Sequence, residues 1–85
     1  MSISIEQIKA ARAMLGLTAG QLADISGVGG TTIRRYEMGE GLPNANLQNI
    51  MKIKCALEAK GIVFTGDPLK DPGVTLHFVK GNNNE

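Results

Sequence analysis

The chain has 85 residues, enough for one small domain, and its 42% hydrophobic and 20% charged residues are ordinary for a soluble globular protein. A single cysteine, Cys55, excludes an internal disulfide framework and any zinc site built from several cysteines, and the net charge of +1 excludes a polycation. No apolar run approaches the roughly 20 residues of a membrane span and the N-terminus lacks a signal pattern, so we expect a cytoplasmic protein without a membrane partner.

Capping patterns predict where the first two helices begin. In the run Ser4-Ile5-Glu6-Gln7, the serine and glutamine side chains have the spacing of a capping box, and the run Thr18-Ala19-Gly20-Gln21 repeats it. Gly16 and Gly27 follow the two segments, and glycine readily adopts the left-handed conformation that ends a helix. The predicted helices are residues 5–15 and 18–26.

The third and fourth helices have weaker starting signals. Gly29 stands where the third helix needs a cap and offers no side-chain acceptor, whereas Asn44 after Pro43 is expected to cap the fourth. Gly39 and Gly61 are expected to end these helices, which gives residues 30–38 and 45–60. Apolar residues at helical spacing on the four helices are assigned to the core: Ile5, Ile8, Leu15, Leu22, Ile25, Ile33, Tyr36, Leu47, Ile50 and Leu57.

After Gly61 the sequence period changes from helical to alternating. Residues 62–65 are β-prone, residues 66–73 are turn-rich, and residues 74–79 alternate with Val74, Leu76 and Phe78 on one face. We therefore predict a β-hairpin over residues 62–80 and a flexible tail over residues 81–85. Because an isolated hairpin is marginal in water, it must pack on the helices or on a second subunit, and we expect it to be a dimerisation element.

The second and third helices are predicted to form a helix-turn-helix. Only a few residues around Gly27 join them, and the small Ala23 on the inner side of the second helix lets the two helices approach closely. Leu22, Ile33 and Tyr36 are expected to close the core between them. Such an arrangement holds its second helix outward, where it can enter the major groove of double-stranded DNA.

The run LTAGQLADISGVGGTTIRRYEMGEGLP resembles the Xre-type family, which includes the lambdoid phage repressors and Cro proteins, and the similarity extends from about residue 5 to residue 57. The resemblance implies a mainly α fold, in which a four-helix lambda-repressor-like domain of residues 1–61 precedes the hairpin and the helix-turn-helix covers about residues 18–38. It also implies a sequence-specific transcriptional regulator, a repressor of prokaryotic or phage origin, which acts as a homodimer on an inverted repeat of double-stranded DNA.

The resemblance places the base-reading positions on Gly30, Thr31 and Arg35. Thr31 and Arg35 are four residues apart and share a helix face, and Arg35 can fork onto guanine O6 and N7. The resemblance further implies a structural, partly buried ion pair between Arg12 and Glu37, which joins the first helix to the third. Contacts to the DNA backbone are assigned to Thr18, Gln21, Thr32 and Arg34.

The chain departs from the family pattern in ways that weaken its hold on DNA. Ala19 replaces a usual glutamine, and Gly29 replaces a usual serine cap. From residue 18 to residue 46, two arginines stand against three carboxylates, so side chains there would neutralise few phosphates. Tight DNA binding then requires either a dimer or lysines outside residues 18–46, and the candidate lysines are Lys9, Lys52 and Lys54.

Two other functions stay open at this stage: an antitoxin-like DNA-binding protein with a protein partner, and a helix-turn-helix fold used only as a protein-interaction module. No catalytic set, nucleotide-binding loop or metal-ligand spacing stands out, so we expect neither an enzyme nor a cofactor. His77 stands alone in its segment and is not expected to bind metal. Cys55 is expected to be a small buried or half-exposed residue, not a redox switch.

Overall fold

The computed structural model describes residues 2–39, 41 and 46–78. Four helices come first, α1 (Ile5–Leu15), α2 (Ala19–Ser26), α3 (Gly30–Glu37) and α4 (Leu47–Ala59), followed by two antiparallel strands, β1 (Ile62–Thr65) and β2 (Gly73–Leu76). The prediction of a mainly helical domain with four helices and a C-terminal hairpin is confirmed. The predicted tail over residues 81–85 lies outside the described residues.

Two capping boxes begin α1 and α2, as the sequence predicts. Ser4 Oγ accepts a hydrogen bond from the Gln7 amide at 3.1 Å, and Gln7 Oε1 accepts one from the Ser4 amide at 2.9 Å. Thr18 and Gln21 repeat this exchange at 3.0 and 2.9 Å, so Thr18 is the cap of α2 and not its first residue. Because each box satisfies two backbone donors, both helix starts are determined locally.

The fourth helix begins later than predicted. Asn46 is its cap, and the Asn46 side chain accepts a hydrogen bond from the Gln48 amide at 2.8 Å, so the prediction of a start at residue 45 is wrong. The sequence offers asparagine at both 44 and 46, and residue type alone does not choose between two good caps. Asn44 itself lies outside the described residues.

Other predicted ends also shift, and α4 itself ends at Ala59 with Lys60 as its cap, one residue before the predicted end. The third helix ends at Glu37 with Met38 as its cap, one residue before the predicted end. The second strand covers Gly73–Leu76, whereas residues 74–79 were predicted. His77 donates its amide to the Gly61 carbonyl at 2.8 Å, just past the last pair of the ladder, and Phe78 is 87% exposed instead of facing the core. The strand stops because β1, its partner, begins at Ile62.

The core draws apolar side chains from all four helices and from β1. Leu47 was predicted to belong to it but is 67% exposed, because it is the first residue of α4 and lies beyond the face that packs inward. Ile25 is also exposed, at the last turn of α2. On α4, Ile53 and not Leu47 completes the inward face. Ile5 is buried as predicted. The buried residues that form the core cluster are Ile3, Ile8, Ala11, Leu22, Val28, Ile33, Ile50, Ile53, Leu57 and Ile62.

The hairpin packs on the helices of its own chain. Phe64, Val74 and Leu76 lie against the core from the inner face of the two strands. Gln7 of α1, only 3% exposed, donates from Nε2 to the carbonyls of Thr65 and Gly73 at 3.1 and 3.0 Å. These two residues form the strand pair next to the turn. One buried glutamine therefore begins α1 and also attaches the hairpin to it.

Candidate nucleic-acid interface

The turn between α2 and α3 is built from local contacts. Gly27 adopts the left-handed conformation with φ 78°, and its amide donates to the Ala23 carbonyl at 2.9 Å. The Val28 amide donates to Ser26 Oγ at 3.2 Å, and the Val28 side chain is buried in the core. Sequence reasoning missed Ser26, although a hydroxyl two residues before a backbone amide outside a helix is a known turn signal.

Small residues let α3 lie close to α2. A Cβ built on Gly30 would stand 3.8 Å from the Cβ of Ala23, which is ordinary van der Waals contact. Beneath this contact Leu22 and Ile33 are fully buried, and Tyr36 is half-buried against the same core. The role predicted for Ala23 therefore agrees with the geometry, and α3 is supported along its inner side.

Tyr36 also joins α3 to α4. Its hydroxyl accepts a hydrogen bond from Asn49 Nδ2 at 3.3 Å, which satisfies the polar end of a ring whose body packs on the core. This agrees with the expectation that Tyr36 helps to close the core, with its polar end paired. Asn49 carried no sequence signal for this role, because the contact joins two separate helices.

All five residues that the sequence assigned to DNA on α3 have some solvent exposure, although Gly30 also faces Ala23 of α2. Thr31, Arg34 and Arg35 are exposed, and Gly30 and Thr32 are half-buried. Two rows with four-residue spacing run side by side, Gly30 with Arg34 and Thr31 with Arg35. The exposed Met38 continues the first of these rows by one more turn, and sequence reasoning did not assign it to the interface.

The first turns of α2 and α3 offer hydrogen-bond donors. In α2, the capping box uses Oε1 of Gln21 and leaves its Nε2 protons without an acceptor among the described residues. The Thr18 hydroxyl can still donate its proton. In α3, Gly29 provides no side-chain cap, so the first amides of that helix are not capped by a side chain. Amides at helix N-termini suit phosphate oxygens because the helix dipole is positive there.

Arg12 and Glu37 form a bidentate ion pair between α1 and α3. Arg12 Nε donates to Glu37 Oε2 at 2.9 Å, and Arg12 Nη2 donates to Glu37 Oε1 at 2.7 Å. Arg12 Nη1 also donates to the Leu17 carbonyl at 2.8 Å, and the two side chains are 26% and 9% exposed. The hydrogen bond to Glu37 raises the pKa of Arg12; burial opposes that rise, and charge attraction adds to it. The pair therefore ties the orientation of α3 to α1.

This pairing makes the surface of α3 more positive than the sequence count suggests. The charge of Glu37 is compensated by Arg12, which lies outside the helix-turn-helix. Among the described residues, no carboxylate lies within ion-pair distance of Arg34 or Arg35. Lys54 is less available than predicted, because it pairs with Glu58 on its own helix at 2.8 Å.

Other candidate chemistry does not appear in the part of the chain that the structure describes. Residues 2–39, 41 and 46–78 contain no group of three or more His, Cys, Asp or Glu that could hold a metal ion. No helix among these residues is both long and apolar enough to cross a membrane. Cys55 is exposed, so the expectation of a buried or half-exposed thiol is wrong. Ile53 and Leu57 face the core, so Cys55, midway between them on α4, points outward.

Comparison with known proteins agrees with this geometry. The chain is 40% identical over 53 residues to the cryptic phage CTXphi transcriptional repressor RstR of Vibrio cholerae serotype O1 (strain ATCC 39315 / El Tor Inaba N16961). The match covers 62% of this chain and 46% of the relative, so it spans about half of the relative's length. The sequence pattern of the helix-turn-helix family matches residues 8–58, which include α2, α3 and most of α1 and α4. The chain therefore belongs to the helix-turn-helix family, as its sequence predicts.

Proposed function

We propose that this chain is a sequence-specific DNA-binding transcriptional regulator, a repressor, that reads the major groove of double-stranded DNA through α3. The observation that carries the proposal is the outward side of α3, where Thr31, Arg34 and Arg35 are exposed on a helix held by the Arg12–Glu37 pair. Family membership supports DNA binding, and similarity to a transcriptional repressor supports the sign of regulation. The chain is then a binding protein, not an enzyme, and acts in the cytoplasm of a bacterial cell.

The roles within the interface follow from side-chain chemistry. Arg35 has the forked donors that match guanine O6 and N7, and Thr31 one turn earlier can donate to a base or place its methyl group against that of thymine. Gly30, assigned from the sequence to close approach of the helix backbone, brings no side chain of its own, and the Arg34 guanidinium lies beside it. Thr18 and Gln21 at the start of α2 suit a phosphate, as does Thr32 beside the base-reading residues.

We further propose that the chain acts as a homodimer on an inverted repeat. A single α3 brings only two arginines to the DNA, which predicts weak binding by one subunit. Met51 on α4 and Val63 on the outer face of the hairpin are exposed apolar side chains that a second copy could cover. Two α3 helices would then enter major grooves about 34 Å apart, one DNA turn. A strictly monomeric mass, with and without DNA, would refute this arrangement.

Substitution of Arg35 tests the base-reading role. We expect Arg35→Ala to lower affinity for a preferred site by about tenfold to hundredfold and to relax preference at one base pair in each half-site. Lys60→Ala is the matched control, because it removes one exposed positive charge at the far end of α4. Binding that survives Arg35→Ala with affinity and preference unchanged would overturn the assignment. Capture of a protein partner by a folded chain that binds no duplex would favour a protein-interaction module instead.

A further inference from the structure

The Arg34 side chain folds back along α3 over Gly30. Its Nη2 and Nη1 atoms lie 3.6 and 3.7 Å from the point where a Cβ of residue 30 would stand. Side chains in α-helices lean toward the N-terminus, and four-residue spacing places residue 30 beneath residue 34. Because glycine leaves this space empty, the guanidinium of Arg34 occupies the place that a side chain at position 30 would take.

This location is the first turn of α3, the part of a helix-turn-helix that meets base edges in the major groove. An arginine that contacts a phosphate beside the groove extends away from the helix axis, whereas the Arg34 guanidinium lies close to the first turn of α3. Among the described residues, no carboxylate lies within ion-pair distance of its guanidinium. Its donors are therefore not committed to a charged partner within the part of the fold that the structure describes.

We propose that Arg34 is a base-reading residue, with a guanidinium that substitutes for the missing side chain at position 30 and recognises the O6 and N7 acceptors of a guanine. The inference rests on the proposed function, and it replaces the role predicted from the sequence, a contact to the DNA backbone. Because Arg34 and Arg35 belong to neighbouring rows of α3, they read different base pairs of one half-site.

The test measures affinities of the full chain, by fluorescence anisotropy, for a duplex selected from a random pool and for all its single-base-pair variants. Arg34→Lys keeps the positive charge but loses the forked donors. We expect it to reduce discrimination for guanine at one base pair by about tenfold or more and to leave the dependence of binding on salt unchanged. Arg35→Lys, the matched variant in the neighbouring row, alters a different base pair.

A series at position 30 tests whether the empty space matters. The Cβ of Gly30→Ala makes only ordinary van der Waals contact with the Arg34 guanidinium, whereas the branched side chain of Gly30→Val displaces it. We expect Gly30→Val to weaken discrimination at the same base pair as Arg34→Lys, and Gly30→Ala to weaken it less. A double variant with Gly30→Val and Arg34→Lys should lose little more discrimination at that base pair than either single variant, because both changes remove the same contact.

Three results separate the inference from its alternatives. A uniform loss of affinity across all duplexes on Arg34→Ala, with the salt slope reduced by about one, identifies a phosphate contact and overturns the inference while the proposed function stands. An unchanged base-pair profile on Arg34→Lys overturns it as well. Failure of the wild-type chain to bind any duplex, with its helical circular dichroism intact, refutes the proposed function itself. Circular dichroism of every variant shows that each one is folded.

Discussion

Gln7→Glu separates the two roles of the residue that joins α1 to the hairpin. Gln7 Oε1 accepts the Ser4 amide at 2.9 Å, and a carboxylate oxygen can accept the same bond. Gln7 Nε2 donates to the carbonyls of Thr65 and Gly73 at 3.1 and 3.0 Å, where a carboxylate has no proton to donate. The substitution therefore keeps the cap of α1 and places a negative oxygen against two carbonyl oxygens.

The expected cost follows from these contacts. Two hydrogen bonds of about 1 kcal/mol each are lost, and two partly buried carbonyls lose their donor, so Gln7→Glu should lower the free energy of unfolding by about 2–4 kcal/mol at neutral pH. Protonation restores a donor, so folding raises the pKa of the introduced carboxyl above its ordinary value of about 4.3. The full cost is then present above that raised pKa. As the pH falls below the ordinary value, the part due to the negative charge and to one of the two lost hydrogen bonds is removed.

Gln21→Glu is the matched control, because Gln21 holds the same position in the exposed capping box of α2. Its Nε2 donates to no acceptor among the described residues, and a negative charge near a helix N-terminus is favourable by about 0.3–1 kcal/mol. Urea unfolding followed by circular dichroism, at neutral pH and at about pH 3.5, gives both free energies. Equal effects of the two substitutions, or a cost of Gln7→Glu that does not depend on pH, would refute this account of the hairpin.

Two further outcomes test the packing beneath the interface. A double-mutant cycle with Arg12→Met and Glu37→Gln should give a coupling energy of about 1.5–3 kcal/mol, whereas the exposed Lys54–Glu58 pair should give about 0.5 kcal/mol or less. Similar values for the two pairs would show that the Arg12–Glu37 bond does not orient α3. Ile53→Ala should lower the free energy of unfolding by about 2–5 kcal/mol, measured by urea denaturation, because Ile53 is fully buried. A cost below about 1 kcal/mol would contradict its place in the core.

The elements that the sequence predicted correctly have signals within a few residues. The capping boxes at Ser4 and Thr18 and the left-handed glycines at 16 and 27 act over one helical turn, so spacing alone located α1 and α2. The start of α4 was misplaced because two asparagines compete for the same role. The exposure of Leu47 followed from that shift, since a residue at the first position of a helix lies at the end of its packed face.

The interface was predictable in outline but not in detail. Four-residue spacing placed Thr31 and Arg35 on one face of α3. The position of the Arg34 guanidinium depends on the lack of a side chain at Gly30, and a glycine gives no polar signal in the sequence. The attachment of the hairpin depends on Gln7, whose acceptors lie 58 and 66 residues along the chain. No local pattern encodes a contact over that separation.

Whether this chain reads DNA sequence is decided by selection of bound sites from a random duplex pool at low salt. We expect an enriched inverted repeat, with half-sites about one DNA turn apart and a guanine in each half-site whose preference is lost on Arg35→Ala. Enrichment of no sequence over the starting pool, by a chain shown to be folded by circular dichroism, would contradict sequence-specific DNA binding.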